Sequence, residues 1–187
     1  MPPKSRIIVL ALVAAALLAP ATPVADARHA SKPKACADAD LRPAPGTLAR
    51  VRAAIVCLHN RIRARRHLPL LKENRRLRRA ARRHSRHMVA GRFFEHTTPE
   101  GRTMVDRILR SRYVRPNHGW VLGENLAWGT GSLGTPRAVV EAWMDSPGHR
   151  GNILERSYRE LGVGIVLGVP VSDAAGGTYT VDFGVRR

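Results

Sequence analysis

Two imidazoles and a carboxylate sit in this chain where no amphipathic pattern asks for them. They are His96 in Phe93-Phe94-Glu95-His96, Glu124 in Gly123-Glu124-Asn125, and His149 closing Trp143-Met144-Asp145-Ser146-Pro147-Gly148-His149. Each falls at the end of a predicted element beside a turn-forming or helix-starting residue, which is where folds gather side chains into clefts. Two neutral imidazoles and one carboxylate suit zinc with an open fourth position, the arrangement that activates a bound water for hydrolysis. In that chemistry Glu95 or Asp145 is the base beside the site. The wide spacing lacks the compact helix-borne H-E-x-x-H pattern. A second reading makes Glu124 the acceptor of hydrogen bonds from His96 and His149, a buried polar network tying strand to loops. Ser146 lies close to His149, but Ser-Pro ahead of a helix is a capping pattern, and there is no G-x-S-x-G elbow.

The elements that must position these groups follow from periodicity. Thr47 opens a helix whose apolar stripe is Leu48, Val51, Ile55, Leu58 and Ile62, with Arg50, Arg52, Arg61, Arg63 and Arg65 on the remaining surface. A second helix is predicted over about Lys72 to Ala90, with stripe Leu77, Ala81, His84 and Met88. A loop from Phe93 to Gly101 carries His96, a short helix spans Thr103 to Ser111, and a strand of about Trp120 to Trp128 carries Glu124. Thr135-Pro136 starts a third main helix, and Ser146-Pro147 starts a short one bearing His149. Two strands follow, Leu161 to Val169 and Thr178 to Val185, with Asp173 to Gly177 read as part of their connection. Helices early and strands late, without βαβ alternation, give an α+β fold with a small antiparallel sheet flanked by helices. Trp120, Trp128 and Trp143 are expected in core or cleft wall, and His59, His67 and His118 on the surface or in turns.

The amino terminus reads as a signal peptide, residues 1–27. Lys4 and Arg6 precede an apolar run from Ile7 to Leu18, and Ala25-Asp26-Ala27 supplies the small residues for cleavage. That run of about 12 residues falls short of the roughly 20 that a membrane-spanning helix needs, so no transmembrane segment is expected after cleavage. Residues 28–47, with Pro33, Pro43, Pro45 and Gly46, form an extended leader, and 48–187 form one domain. Export would place Cys36 and Cys57 in an oxidising environment, where one disulfide is the economical expectation.

The formal charge of the whole chain is +18. Nearly all of the positive charge is arginine, and it is densest on the second helix at Arg75, Arg76, Arg79, Arg82, Arg83 and Arg86. Like charges three and four residues apart repel by a few tenths of a kcal/mol per pair, so such a face needs tertiary packing or a polyanion to offset the cost. Outside a cell the candidate partners are phosphate-bearing wall polymers and anionic lipid surfaces, with free nucleic acid a third possibility. Sequence-specific nucleic-acid reading is excluded, because zinc-finger spacing, a helix-turn-helix signature and aromatic-basic interleaving are all missing.

Taken in order, several motifs resemble the CAP superfamily of cysteine-rich secretory, antigen 5 and pathogenesis-related 1 proteins, also called SCP-like extracellular domains. They are Leu58-His59-Asn60, Phe94-Glu95-His96, Gly123-Glu124-Asn125-Leu126-Ala127, Ala142-Trp143 through Asn152-Ile153-Leu154, Leu161-Gly162-Val163-Gly164 and Asp182-Phe183-Gly184. The resemblance is to bacterial members and covers roughly residues 48 to 184. It implies an α-β-α sandwich, a secreted protein, and a central cleft lined by two histidines and two acidic residues that binds divalent metal in some members. By that likeness His96, Glu124 and His149 are the cleft's histidines and first glutamate, with Asn125 beside them. The fourth, acidic position is Ser146 here, with Asp145 one residue earlier and about 100° around the helix. Three functions are carried forward. The first is a non-enzymatic, monomeric binding module, whose cleft takes a small apolar or glycan ligand or a divalent metal, zinc foremost, and whose arginine face docks on the anionic envelope. The second is a metal-dependent hydrolase of peptide or wall polymer, and the third a basic antimicrobial or nucleic-acid-scavenging protein.

Overall fold

The computed structural model describes residues 35–186, so the expected signal peptide and the start of the leader lie outside the described residues. Helix α1 spans Leu48–Ala64, and Cys36 is bonded to Cys57 within it, which fixes the leader to the helix as expected. Val51 and Ile55 are wholly buried, and Leu48, Leu58 and Ile62 pack partly against the same core. Thr47 precedes the helix without capping it, because its hydroxyl turns back to the carbonyls of Arg42 and Ala44.

Two residues of α1 depart from their predicted surface positions. Arg63 is fully buried and donates to the carbonyls of Pro69, Ile153, Glu155 and Tyr158 at 2.8–3.3 Å. A guanidinium fork can satisfy several carbonyls at once, so this arginine acts as a clasp between distant turns. His59 is also fully buried, edge-on to Trp143 and tilted against Phe183. Its Nδ1 lies 2.8 Å from the Ile55 carbonyl and its Nε2 has no partner. Burial lowers its pKa to about 4, the Ile55 bond only partly opposing it.

Strand β1 is only Lys72–Glu73, a pair of residues that the sequence reading placed in the second helix. That helix, α2, spans Arg75–Gly91 and starts at Asn74, whose side chain accepts from the N–H groups of Arg76 and Leu77. Arg92, in the left-handed region at φ 51°, ends it. Helix α3 spans Met104–Arg110 with a reciprocal Thr103–Asp106 cap. Strand β2 is Trp120–Thr130, followed by α4, Pro136–Asp145, and α5, Pro147–Leu154. Strands β3, Glu160–Val169, and β4, Ser172–Arg186, form a long hairpin, so Asp173 to Gly177 belong to a strand rather than to the connection.

The sheet order is β1-β3-β4-β2. It is mixed rather than purely antiparallel, since β1 pairs in parallel with the start of β3. One face carries Leu161, Val163, Tyr179, Val181 and Phe183 and packs on α1, α4 and α5 together with Trp143 and Ile153. The other receives α2 almost backbone to backbone. A Cβ on Gly162 would lie 2.0 Å from the Arg78 nitrogen, and one on Gly164 would lie 2.2 Å from that of Arg82. Leu77, Ala80, Ile108, Tyr113 and Val114 close this side. The result is a three-layer α-β-α sandwich.

Candidate functional site

Glu124 sits in the middle of β2 with its side chain only 2% exposed. The strand's alternation sends it to the α2 face, and in the register it stands directly opposite Asp182 of β4. Its neighbour Gly123 faces the other way, where a Cβ would lie 2.3 Å from the Tyr158 hydroxyl and 2.7 Å from Asn152 Oδ1. That close approach is why glycine precedes the glutamate.

Arg107 of α3 reaches Glu124 with Nη2, which donates to Oε1 at 2.8 Å and to Oε2 at 2.6 Å. Its Nη1 donates to the carbonyl of His96 at 2.8 Å and to that of Arg102 at 3.2 Å, so one side chain fixes the loop to the sheet. His96 adds a third contact to the glutamate, with Nδ1 at 2.9 Å from Oε1. Because an ionised carboxylate only accepts, the His96 proton resides on Nδ1 and its Nε2 is left for other partners. Burial alone would raise the pKa of Glu124, but the His96 hydrogen bond and the Arg107 charge hold it below the usual carboxylate range. Asp182 takes the opposite course. Its burial, the Glu124 charge and a hydrogen bond shared with the Glu124 side chain push its pKa well above normal. Two facing carboxylates in a low-dielectric site thus divide into one ionised and one neutral group.

His149 lies on α5, half-buried, with its pKa lowered by burial and by the nearby His96. Its ring makes no hydrogen bond to Glu124 among the described residues, and its backbone carbonyl instead accepts from Asn125 Nδ2 at 3.0 Å. Asn125 is fully buried. Asn152 completes the tie by donating to the Glu124 carbonyl at 3.0 Å and to Asn125 Oδ1 at 2.9 Å. Asp145 is the exposed last residue of α4. Ser146 precedes α5 but makes no side-chain cap bond, contrary to the expected capping role. Trp143 is core, its indole N–H donating to the Leu126 carbonyl at 2.8 Å, whereas Trp128 is exposed rather than buried.

The donor set does not fit a divalent ion as placed. Both Glu124 oxygens accept from Arg107 and one of them also from His96. Among the described residues no group of three His, Cys, Asp or Glu side chains is gathered for a metal. The arrangement can instead hold an ionised glutamate rigidly and present the outer edge of His96, with His149 beside it, to a polar ligand.

Sequence reasoning missed Arg107, Asp182 and the role of His84. Arg107 is one arginine among many and carries no distinguishing spacing. Asp182 keeps the alternation, falling with Thr180 on the face opposite Tyr179, Val181 and Phe183, so nothing in the pattern shows that this second face is buried too. His84 was legible as part of the buried stripe. Its burial, partly offset by the Glu124 charge, lowers its pKa to about 4.

A three-layer sandwich with a histidine-glutamate cluster between sheet and loops defines a CAP-type domain. The sequence model of the cysteine-rich secretory protein family, CAP, matches residues 56–182. The chain belongs to that family. It is 33% identical over 144 residues to the uncharacterised protein YkwD of Bacillus subtilis, covering 76% of this chain and 53% of YkwD. A Bacillus anthracis structure, described as an extracellular protein containing an SCP domain, superposes with TM-score 0.57 at 30% identity, covering 78% of this chain and 45% of that one. The chain therefore spans about half the length of these relatives. An outer surface protein of Borrelia burgdorferi shares the fold with TM-score 0.59 at 22% identity, covering 71% of this chain and 90% of that one. No described helix is long and apolar enough to cross a membrane.

Proposed function

We propose that the protein is an exported, non-enzymatic binding module that docks on a phosphate-bearing envelope polymer through the outer face of α2. The observation that carries this reading is the arrangement of arginines on that helix. Arg75, Arg79, Arg82, Arg83 and Arg86 are exposed and line one shallow depression of about 580 Å³ with Arg78. Arg76 turns aside to donate to the Arg112 carbonyl at 2.8 Å. The described ion pairs draw their cations from elsewhere, and none reaches Arg75, Arg79, Arg82, Arg83 or Arg86. A row of unpaired guanidinium groups on a rigid helix costs self-repulsion unless an extended anion lies along it, and bidentate phosphate contacts suit arginine in particular.

The Glu124 cluster supports binding over turnover. Its carboxylate is committed to Arg107 and His96, which leaves it poorly placed to abstract a proton or activate water. In this reading the cluster braces the loop and presents His96 and His149 to a small polar ligand. Sedimentation with isolated Gram-positive cell wall tests the docking role. Retention at low ionic strength that is lost in high salt is the expected result, and retention unchanged across that range would contradict it.

A further inference from the structure

Strand β3 is paired almost throughout on one side and hardly at all on the other. β4 accompanies it from Glu160 onward, whereas β1 covers only Glu160 and Leu161 before the chain turns into α2 at Asn74. The Lys72 N–H donates to the Arg159 carbonyl at 2.9 Å and the Asn74 N–H to the Leu161 carbonyl at 2.7 Å. Odd-numbered residues of β3 therefore turn their backbone groups to the β1 side. By the two-residue repeat of a strand Val163 and Ile165 do the same, and their N–H and C=O groups have no hydrogen-bond partner among the described residues. A groove of about 430 Å³ lies there, with Val163 and Ile165 as floor, Leu48 and Arg52 of α1 as one wall, and Arg78 and Arg82 of α2 as the other. Free sheet edges template a further strand unless lysine, proline or a bulge prevents it. Gly162 to Leu167 contains no charge and no proline, and the ladder becomes irregular only beyond Leu167.

The end of β1 shows what chemistry this edge accepts. Glu73 sets its carboxylate between the walls, with Oε1 2.9 Å from Arg52 Nε and 3.7 Å from Arg78 Nη1. One turn further along α2, Arg82 has no acidic partner among the described residues. The backbone of Arg78 lies against Gly162 and that of Arg82 against Gly164, so helix and strand run in step. A helical turn of about 6 Å matches the roughly 6.7 Å between alternate residues of a strand. At rest Val163 is 1% and Ile165 6% exposed. An incoming strand must therefore part the Arg52–Glu73–Arg78 bridge, and a carboxylate of its own can take the place of Glu73.

We infer that this groove takes an extended acidic segment of a partner protein, added to β3 as a strand in line with β1, with carboxylates two residues apart on Arg78 and Arg82. Only another peptide backbone supplies both donors and acceptors at the spacing of the edge, which an anionic polymer cannot do. A second copy would bring the same arginines against these, and residues 28–34 carry Arg28, Lys32 and Lys34 with no acid, so like charge disfavours both as occupants. Arg78 and Arg82 also border the face proposed to dock on polymer, but only an added strand engages the backbone of β3.

Isothermal titration of the disulfide-bonded exported protein with the peptide acetyl-Thr-Glu-Val-Glu-Thr-amide tests the groove. Saturable binding is expected. Two versions of the peptide, N-methylated on alternate residues, should differ about tenfold in affinity, because only one set of N–H groups can face β3. Glu73→Gln, which frees both arginines, should tighten binding severalfold, and Arg82→Gln should weaken it severalfold. Arg75→Gln/Arg79→Gln, outside the groove, should change it less than twofold. Amide hydrogen exchange at Val163 and Ile165 should slow about tenfold on saturation with the peptide and stay unchanged with inorganic polyphosphate, which separates this site from the polymer-docking role. The inference is overturned by the absence of saturable binding into the millimolar range, by equal affinities of the two methylated peptides, or by unchanged exchange at Val163 and Ile165 in the peptide complex.

Discussion

Replacing Arg107 by Met should destabilise the protein more than any ordinary surface change, and the structure sets the magnitude. The Arg107–Glu124 pair is buried on both sides, and breaking such a pair from one side costs about 3–5 kcal/mol, because the remaining charge is left without compensation. Arg107 also anchors the carbonyls of His96 and Arg102, at about 1 kcal/mol per lost hydrogen bond, so Arg107→Met should reach about 5 kcal/mol. Glu124→Leu leaves Arg107 its two carbonyl partners and should cost about 3 kcal/mol. The double variant removes both charges together and should cost only about 2 kcal/mol, which makes the coupling between the sites several kcal/mol. Urea unfolding at constant m-value reads all four proteins. The pH dependence has a fixed sign. Glu124 has a depressed pKa, so its contribution is present above the unfolded carboxyl pKa and lost as pH falls through the folded one. The Arg107→Met deficit should therefore shrink in acid. Additive single costs, or a deficit that grows in acid, would refute the view of the pair as one buried ionic unit.

Three further outcomes follow from single positions. His59 titrates at about 4 in the folded protein against 6.5 unfolded, so its stabilising effect is complete above pH 6.5 and lost as pH falls toward 4. His59→Phe should therefore remove about 3 kcal/mol of acid sensitivity between pH 7 and pH 4, read by unfolding at both values. Gly162→Ala puts a methyl group against the backbone of α2 and should cost at least about 2 kcal/mol, whereas Gly148→Ala, with open space around it, should be near neutral in the same thermal melt. Reducing Cys36–Cys57, a bond across 21 residues, should cost about 3 kcal/mol and lower the melting temperature without abolishing the fold.

Much of the fold is legible because burial imposes periodicity. The stripe of α2, the inward Tyr179, Val181 and Phe183, and the Thr135-Pro136 helix start all stand where the pattern placed them. The failures have local physical causes. Lys72 and Glu73 are polar and too few for any period, and they pair as a strand only because β3 passes alongside. Asp173 to Gly177 looks like a turn by composition, yet it extends the hairpin as far as the Gly129 and Thr130 partners of β2. Arg63 and His59 read as surface because a helical wheel cannot see the four carbonyls or the aromatic slot waiting in the tertiary structure. At the site, His96 and Glu124 meet as one reading of the residues required. The partner that dominates the glutamate is an arginine with no sequence signature, and Asp182 joins it only through strand register.

The docking role of α2 is tested most directly by the salt dependence of binding to a polyphosphate of defined length. Each phosphate contact on a flexible polyanion contributes about −0.7 to the slope of log affinity against log salt. The variant Arg75→Gln/Arg79→Gln/Arg82→Gln/Arg86→Gln is expected to flatten the wild-type slope by about 3. An unchanged slope in that variant would contradict the proposal that this helix carries the protein onto its anionic partner.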